Sequence, residues 1–504
     1  MRSTITKQST TLVIPFVYEK GYDSIESLRC FQEKKIHKDK IYDHIGSLIG
    51  GESGKQHIGK AFTLDQNHRV KFGLPKNKSH SIKYMGKDTK FFYSIIEAEI
   101  YTFSTQVGFL CISFQVSDDP SHYDKQGFVP ITKENYEKAV YELRRFYYRN
   151  AIHEFSQKIG KDEYKVVPFH IQDMINKMLE SLQVQRYFEQ NVTTPTQAQV
   201  FSIVVLNESN SLNESFSEIA SSSEIGQSVS PQIAMLISDE KSRRNRLVEE
   251  LAYRLSHSFK DTYLLPQDLK RASRLPSLFQ PFENSIWGIA TEGVANVILK
   301  TDQPETNRFF EQSYFSNVKG TYFYLYLLLL NQKYGLLYLS IKAGDVYKKI
   351  KSLSIDEQAK YIYQFREEII EFNVTSVYKH ASYITHQSDW YHLLHEMMGI
   401  NELKEELTNE VEALTDHLTM VLDQWERKLE KIKNEKSQRT NYLIQFITYI
   451  LLPFTIVTGF FGMNLPMIKN MKDWMFYGIL IVIFFILSII HSWAYFKEKN
   501  EMKN

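Results

Sequence analysis

Residues Asn441–Phe461 read NYLIQFITYILLPFTIVTGFF, and residues Trp474–Phe496 read WMFYGILIVIFFILSIIHSWAYF. Each stretch has about 20 residues, the length at which a helix crosses about 30 Å of hydrocarbon. Neither contains Lys, Arg, Asp or Glu, side chains that are costly in lipid. Trp474, Tyr477, Trp493 and Tyr495 lie near the ends of the second stretch, where aromatic anchors belong. The pattern predicts two membrane-spanning helices joined by a short outer turn. The alternative, a pair of buried core helices, would place two such segments end to end in a soluble domain.

The first stretch gathers its polar and small residues on one helical face. Asn441, Gln445, Thr448, Leu452, Thr455, Gly459 and Gly462 step alternately by four and three residues, which makes a single stripe. Amides, hydroxyls and glycines within a membrane belong against protein or water. The stripe fits the lining of a pore built from several subunits, and equally a small-residue helix-packing face. The second stretch is apolar nearly all round and suits lipid.

Directly after the first stretch comes Gly462-Met463-Asn464-Leu465-Pro466. The run Pro453-Phe-Thr455-Ile-Val-Thr458-Gly459-Phe-Phe-Gly462-Met463-Asn464 resembles the signature of the CorA family of divalent-cation channels, whose hallmark is a Gly-Met-Asn tripeptide closing the first of two C-terminal spans. The resemblance covers roughly the last hundred residues. It implies a funnel-shaped homo-oligomer, a pentamer in this family, in which the first spans line the pore and the second surround them. It also implies a ring of Asn464 amides at the outer mouth that meets a hydrated cation, Mg²⁺ or another divalent ion. Mg²⁺ sheds its water reluctantly, so neutral amide oxygens can hold its hydration shell without stripping it. The outer loop departs from the family pattern: Lys469, Lys472 and Asp473 stand where transporting members carry acidic residues.

The 504 residues carry a net charge of +1 and a mean hydropathy of −0.34, with 43% hydrophobic residues. Balanced charge argues against direct nucleic-acid binding. Two cysteines, Cys30 and Cys111, exclude a disulfide scaffold and fit a reducing compartment. The N-terminus has no long apolar run of the signal-peptide kind. Arg427, Lys428, Lys431, Lys433, Lys436 and Arg439 precede the first stretch, and Lys497, Lys499 and Lys503 come after the second. The positive-inside rule then places both termini in the cytoplasm and the protein in the inner membrane as a multi-pass chain.

Upstream, the fold expected is a cytoplasmic α/β domain over residues 1–300, a helical region over 301–400 and a stalk helix over 401–440. The spans come next at 441–461 and 474–496, with an outer loop at 462–473 and a tail at 497–504. Thr11–Tyr18, Gln197–Leu206, Gln232–Ser238 and Val294–Lys300 read as strands. FFYSIIEAEIYTF and VGFLCISFQV, turning at Ser104-Thr105-Gln106, read as a hairpin. Tyr136–Phe155 and a segment within Val166–Leu182 read as helices, and Asn207–Ser230 as a Ser/Asn-rich loop. Thr321–Leu330 is too short to span and reads as a buried helix. Leu403, Leu407, Val411, Leu414, Leu418, Leu422, Trp425 and Leu429 repeat every eleven residues, about 3.67 per turn. With no Gly or Pro before Asn441, one helix is expected from about Asn401 to Phe461, on the order of 90 Å long.

Other motifs carry less. Gly50-Gly51-Glu-Ser-Gly54-Lys55-Gln56 fails as a phosphate loop, because Ile49 stands where the first Gly is needed and Gln56 where Ser or Thr binds Mg²⁺. His392 and His395 share a helical face without a third ligand, so structural histidines are expected. Strand Gln232–Ser238 followed by a helix opening at Asp239 would set Arg243, Arg244 and Arg246 near a helix N-terminus, a candidate anion or nucleotide site. A solvated basic face is the alternative. We find no catalytic constellation. The chain is expected to be a CorA-like oligomeric channel gated by its large cytoplasmic domain. The rival expectation is a divergent CorA-type membrane effector of type III CRISPR antiviral defence, opened by a nucleotide second messenger of the SAM-AMP type.

Overall fold

The computed structural model describes residues 3–18, 30–36, 41–42, 59–75, 81–86, 89–119, 131–145, 152–158, 164–181, 198–207, 231–269, 276–462 and 472–501. The chain divides into two compact units, Met1–Ala413 and Leu414–Asn504.

The first unit is built on a sheet of 13 strands whose main path runs β11 (Leu278–Phe282), β12 (Ser285–Ala290), β13 (Gly293–Leu299), β10 (Gln199–Asn207), β1 (Thr4–Val17), β6 (Val107–Ser117), β5 (Lys90–Phe103), β4 (Ile82–Met85), β8 (Ile152–Lys158) and β9 (Tyr164–Pro168), with β2 (Phe31–Glu33), β3 (Gly59–Leu64) and β7 (Ile131–Thr132) off that path. β1 (Thr4–Val17) runs antiparallel to β10 (Gln199–Asn207) on one side and to β6 (Val107–Ser117) on the other. β5 (Lys90–Phe103) and β6 form the expected hairpin, with Tyr101 opposite Phe109. Its turn closes at Gln106, whose φ of 66° is the left-handed conformation that ends a three-residue hairpin loop. β10 is parallel to β13 (Gly293–Leu299), with Val204 opposite Val297. β11 (Leu278–Phe282) and β12 (Ser285–Ala290) complete that edge.

Both faces of the sheet are covered, so β6 and β10 are near-continuously apolar rather than alternating, while β1 between them buries the polar side chains of Thr6, Gln8, Ser9, Thr10 and Thr11. Val200, Val204 and Leu206 of β10 join one core with Tyr136, Ala139, Met174, Val248, Leu251 and Leu255. Those residues come from α1 (Lys133–Arg144), α2 (Ile171–Ser181) and α3 (Pro231–His257). Phe201, on the alternate face of β10, packs its ring against Trp287, Phe323 and Tyr326. The last two belong to α5 (Phe323–Ile350), which covers the other face. α4 (Pro304–Phe309) leads into α5 through π-helical turns at Phe310–Tyr314 and Val318–Tyr322. α6 (Ile355–Ser376) and α7 (Thr385–Met397) complete the helical region. Gly288 lets α3 press onto β12, since a Cβ there would lie 2.0 Å from the Ala252 carbonyl oxygen.

Two expectations are corrected. Gln232–Ser238 is not a strand but the first turns of α3, which runs unbroken from Pro231 to His257. The run IAMLI has no period-2 alternation, proline suits the first helical position, and no Gly or Pro interrupts the chain from there to His257. Tyr136–Phe155 is helical only as far as Arg144. Ile152–Lys158 is strand β8, paired with β4 (Ile82–Met85) and β9 (Tyr164–Pro168). The partner strands override local helical character there. The buried helix at Thr321–Leu330 is present, and Leu325 through Leu330 are all buried. Gly50–Gln56 and most of the Asn207–Ser230 loop lie outside the described residues.

α8 is one helix from Ile400 to Gly462, about 95 Å long; the sequence placed it at about Asn401–Phe461. Leu407, Leu414 and Leu418 of the eleven-residue stripe are buried, whereas Leu422, Trp425 and Leu429 are exposed in the single chain. α9 runs from Asp473 to Glu501. Among the described residues no helix is long and apolar enough to cross a membrane.

Candidate pore helix and its surroundings

The distal part of α8 carries the polar stripe. Asn441, Gln445, Thr448, Leu452, Thr455 and Gly459 are all exposed in the single chain. Helical periodicity of four and three residues sets them on one face. The two hydroxyls are satisfied by the helix itself. Thr448 Oγ1 donates to the Ile444 carbonyl at 2.8 Å, and Thr455 Oγ1 to the carbonyls of Leu451 and Leu452 at 3.0 and 2.9 Å. With its proton turned inward, each hydroxyl oxygen keeps lone pairs to accept a hydrogen bond from outside the helix. A Cβ built on Gly459 would meet nothing within 4 Å. Gly462 is the last residue of α8; Met463 and Asn464 lie outside the described residues, as does the outer loop up to Met471.

Large apolar side chains surround the stripe and cover α9. Leu443 is 62% exposed, Phe485 65% and Ile489 62%. A single chain thus leaves a dense apolar surface on both distal helices, well beyond the scattered apolar residues normal for a soluble protein.

The arginines singled out in the sequence lie elsewhere. Arg243, Arg244 and Arg246 sit in the middle of α3, three turns beyond Pro231, so the helix N-terminus invoked for anion binding is not beside them. Arg243 and Arg246 are exposed, and Arg246 Nε pairs with Glu250 Oε1 at 3.3 Å. Arg246 also lines a groove of about 610 Å³ with Arg254, Glu249, Glu250, Asp261 and Asp268. Four carboxylates against two guanidinium groups do not make an anion site. The signal available in the sequence was Glu249-Glu250, one helical turn beyond Arg246.

His392 and His395 part company in the fold. His392 Nε2 faces Glu396 at 3.3 Å, while His395 is 1% exposed. Burial, helped by the positive charges of His392 and Lys379, pushes the His395 pKa down to about 4. Among the described residues no group of three or more His, Cys, Asp or Glu side chains is placed to hold a metal ion.

A large α/β domain is followed by one very long helix and a second helix. Residues 339–498 match the family model described as CorA-like Mg²⁺ transporter protein. That segment, about a third of the chain, is similar to the CorA-like family. No curated protein matches the chain significantly.

Proposed function

We propose that the protein is a CorA-like channel for divalent cations of the Mg²⁺ class, a homo-oligomer in a lipid bilayer with its α/β domain in the cytoplasm. The observation that carries this reading is the family match over residues 339–498 together with the Gly462-Met463-Asn464 sequence, whose glycine is the last residue of α8. On this reading Asn441–Phe461 and Trp474–Phe496 cross the membrane, and both termini are cytoplasmic. Two features support it: the absence of Lys, Arg, Asp and Glu from both stretches, and the apolar surface that α8 and α9 leave uncovered in a single chain.

The chemistry is set by the stripe. A hydrated divalent cation presents water protons to its surroundings. Asn441, Gln445, Thr448 and Thr455 present neutral acceptor oxygens, and the threonine hydroxyls have already given their protons to the helix. Such a lining accepts hydrogen bonds from the hydration shell without demanding dehydration. Leu452 interrupts it with one apolar ring per oligomer, a constriction that resists wetting when narrow. Asn464 would hold the hydrated ion at the outer mouth. The continuous α8 offers the route by which a rearranged cytoplasmic domain moves Leu452. The antiviral, nucleotide-opened reading draws no support from Arg243, Arg244 and Arg246, which lie mid-helix beside carboxylates. Mg²⁺ flux into liposomes, compared between the wild type and Asn464→Ala, tests the proposal.

A further inference from the structure

Helix α6 carries an apolar stripe that is exposed in the single chain. Tyr363, Ile370 and Val374 are 60%, 58% and 69% exposed. With Glu367 they step by four, three and four residues, so they share one face. The opposite face holds α6 in the domain: Phe365, Ile369 and Phe372 are buried. Lys342 of α5 pairs with Glu368 of α6. A helix apolar on two sides, with one side used, has a second surface to cover.

Another bare stripe lies on α8. Leu407, Leu414 and Leu418 are buried, and the same face runs on through Leu422, Trp425, Leu429 and Ile432, all exposed. Lipid does not cover these four: on the reading above the membrane begins at Asn441, roughly 14–29 Å further along the helix. The α8 of a second copy does not cover them either. For 3.5–3.67 residues per turn, their face lies roughly 100–150° round the helix from the Asn441–Gly459 stripe. In an oligomer whose polar stripes face a common axis, it points away from that axis.

The two bare stripes match. Each is about 15–17 Å long. Laid antiparallel with Ile370 level with Trp425, Tyr363 meets Ile432 and Val374 falls within one residue of Leu422. In that register Glu367, in the middle of the α6 stripe, is level with Lys428. Asp356, near the start of α6, is level with Arg439. All four charged residues are exposed.

We propose that the Tyr363–Val374 face of α6 in one protomer docks on the Leu422–Ile432 face of α8 in a second copy of this chain. The inference rests on the proposed oligomer and names the surface through which a cytoplasmic domain reaches its neighbour's stalk. The contact joins two different patches, so its repetition builds a ring rather than a closed pair. Burial of the aromatic and aliphatic side chains supplies the attraction. The charge pairs Glu367–Lys428 and Asp356–Arg439 set direction and register. A domain seated in this way bears on the helix that carries its neighbour's Leu452, so a change in one domain acts on the pore through two protomers.

The test co-expresses two differently tagged full-length variants, Ile370→Cys and Trp425→Cys, in one membrane. The protein is extracted in detergent and treated with a short bismaleimide; Cys30 and Cys111 are buried. A cross-linked dimer carrying both tags is expected, at least tenfold above the dimer from either variant alone. Adding Glu367→Lys to the first variant lowers the yield at least threefold, and Lys428→Glu in the second restores it. Absence of the mixed dimer from a protein that light scattering shows to be oligomeric overturns the proposal. So does a Trp425→Cys dimer that forms as readily alone, which would put α8 against α8. A link confined within one chain when both cysteines are placed in it overturns it too. A monomer by light scattering would overturn the oligomer itself, and this inference with it, so the two failures are told apart.

Discussion

Acid should destabilise the α/β domain through two buried imidazoles, and replacing His395 should remove about half of the effect. His395 is 1% exposed and its Nε2 has no hydrogen-bond partner among the described residues. Its pKa falls from the ordinary 6.5 to about 4 in the fold, chiefly through burial. His153 is 8% exposed and also titrates at about 4, again chiefly through burial. As pH falls below 6.5 the unfolded chain takes up protons that the folded chain refuses, so stability is intact above about pH 7 and is lost between 6.5 and 4. At pH 5 the unfolded imidazole is almost fully protonated and the folded one about a tenth. The loss is then about 2 kcal/mol per histidine relative to pH 7.5, or about 4 kcal/mol for the pair. The assay is urea unfolding of the full-length protein in detergent at pH 7.5 and pH 5.0, followed by near-ultraviolet circular dichroism. Trp287 and Trp390, whose rings lie 4.9 Å apart, make that signal report on the domain core. His395→Leu should lower the pH-dependent loss to about 2 kcal/mol. A variant as acid-sensitive as the wild type, or a wild type equally stable at both pH values, would refute the reasoning.

Two substitutions test the packing. Gly288→Ala places a Cβ 2.0 Å from the Ala252 carbonyl oxygen, so α3 must move off β12; a loss of about 2–3 kcal/mol is expected in the same urea assay. Tyr136→Phe removes the hydroxyl that bonds Thr10 beneath β1 but leaves the Thr10–Ser202 hydrogen bond of 2.9 Å in place. It should cost only about 1 kcal/mol.

How much was legible in the sequence depends on how local each signal is. The β5–β6 hairpin, the buried helix at Thr321 and α8 rest on periodicity within the segment itself, and all three are present. The Gly-Met-Asn tripeptide stands between two apolar stretches, inside the segment 339–498 that matches the family model. Gln232–Ser238 was misread because a short apolar run has no period of its own; its helical state is propagated from Asp239 to His257. β8 was misread because its strand state comes from β4 and β9, and β4 lies far off in sequence.

The most direct test of the central claim is Mg²⁺ uptake by purified full-length protein in liposomes, read with an entrapped Mg²⁺ indicator. The account predicts uptake by the wild type that Asn464→Ala abolishes while the protein still inserts and assembles. Sealed vesicles that take up no Mg²⁺ or other divalent cation under any condition of the cytoplasmic face, or equal uptake by wild type and Asn464→Ala, would contradict it.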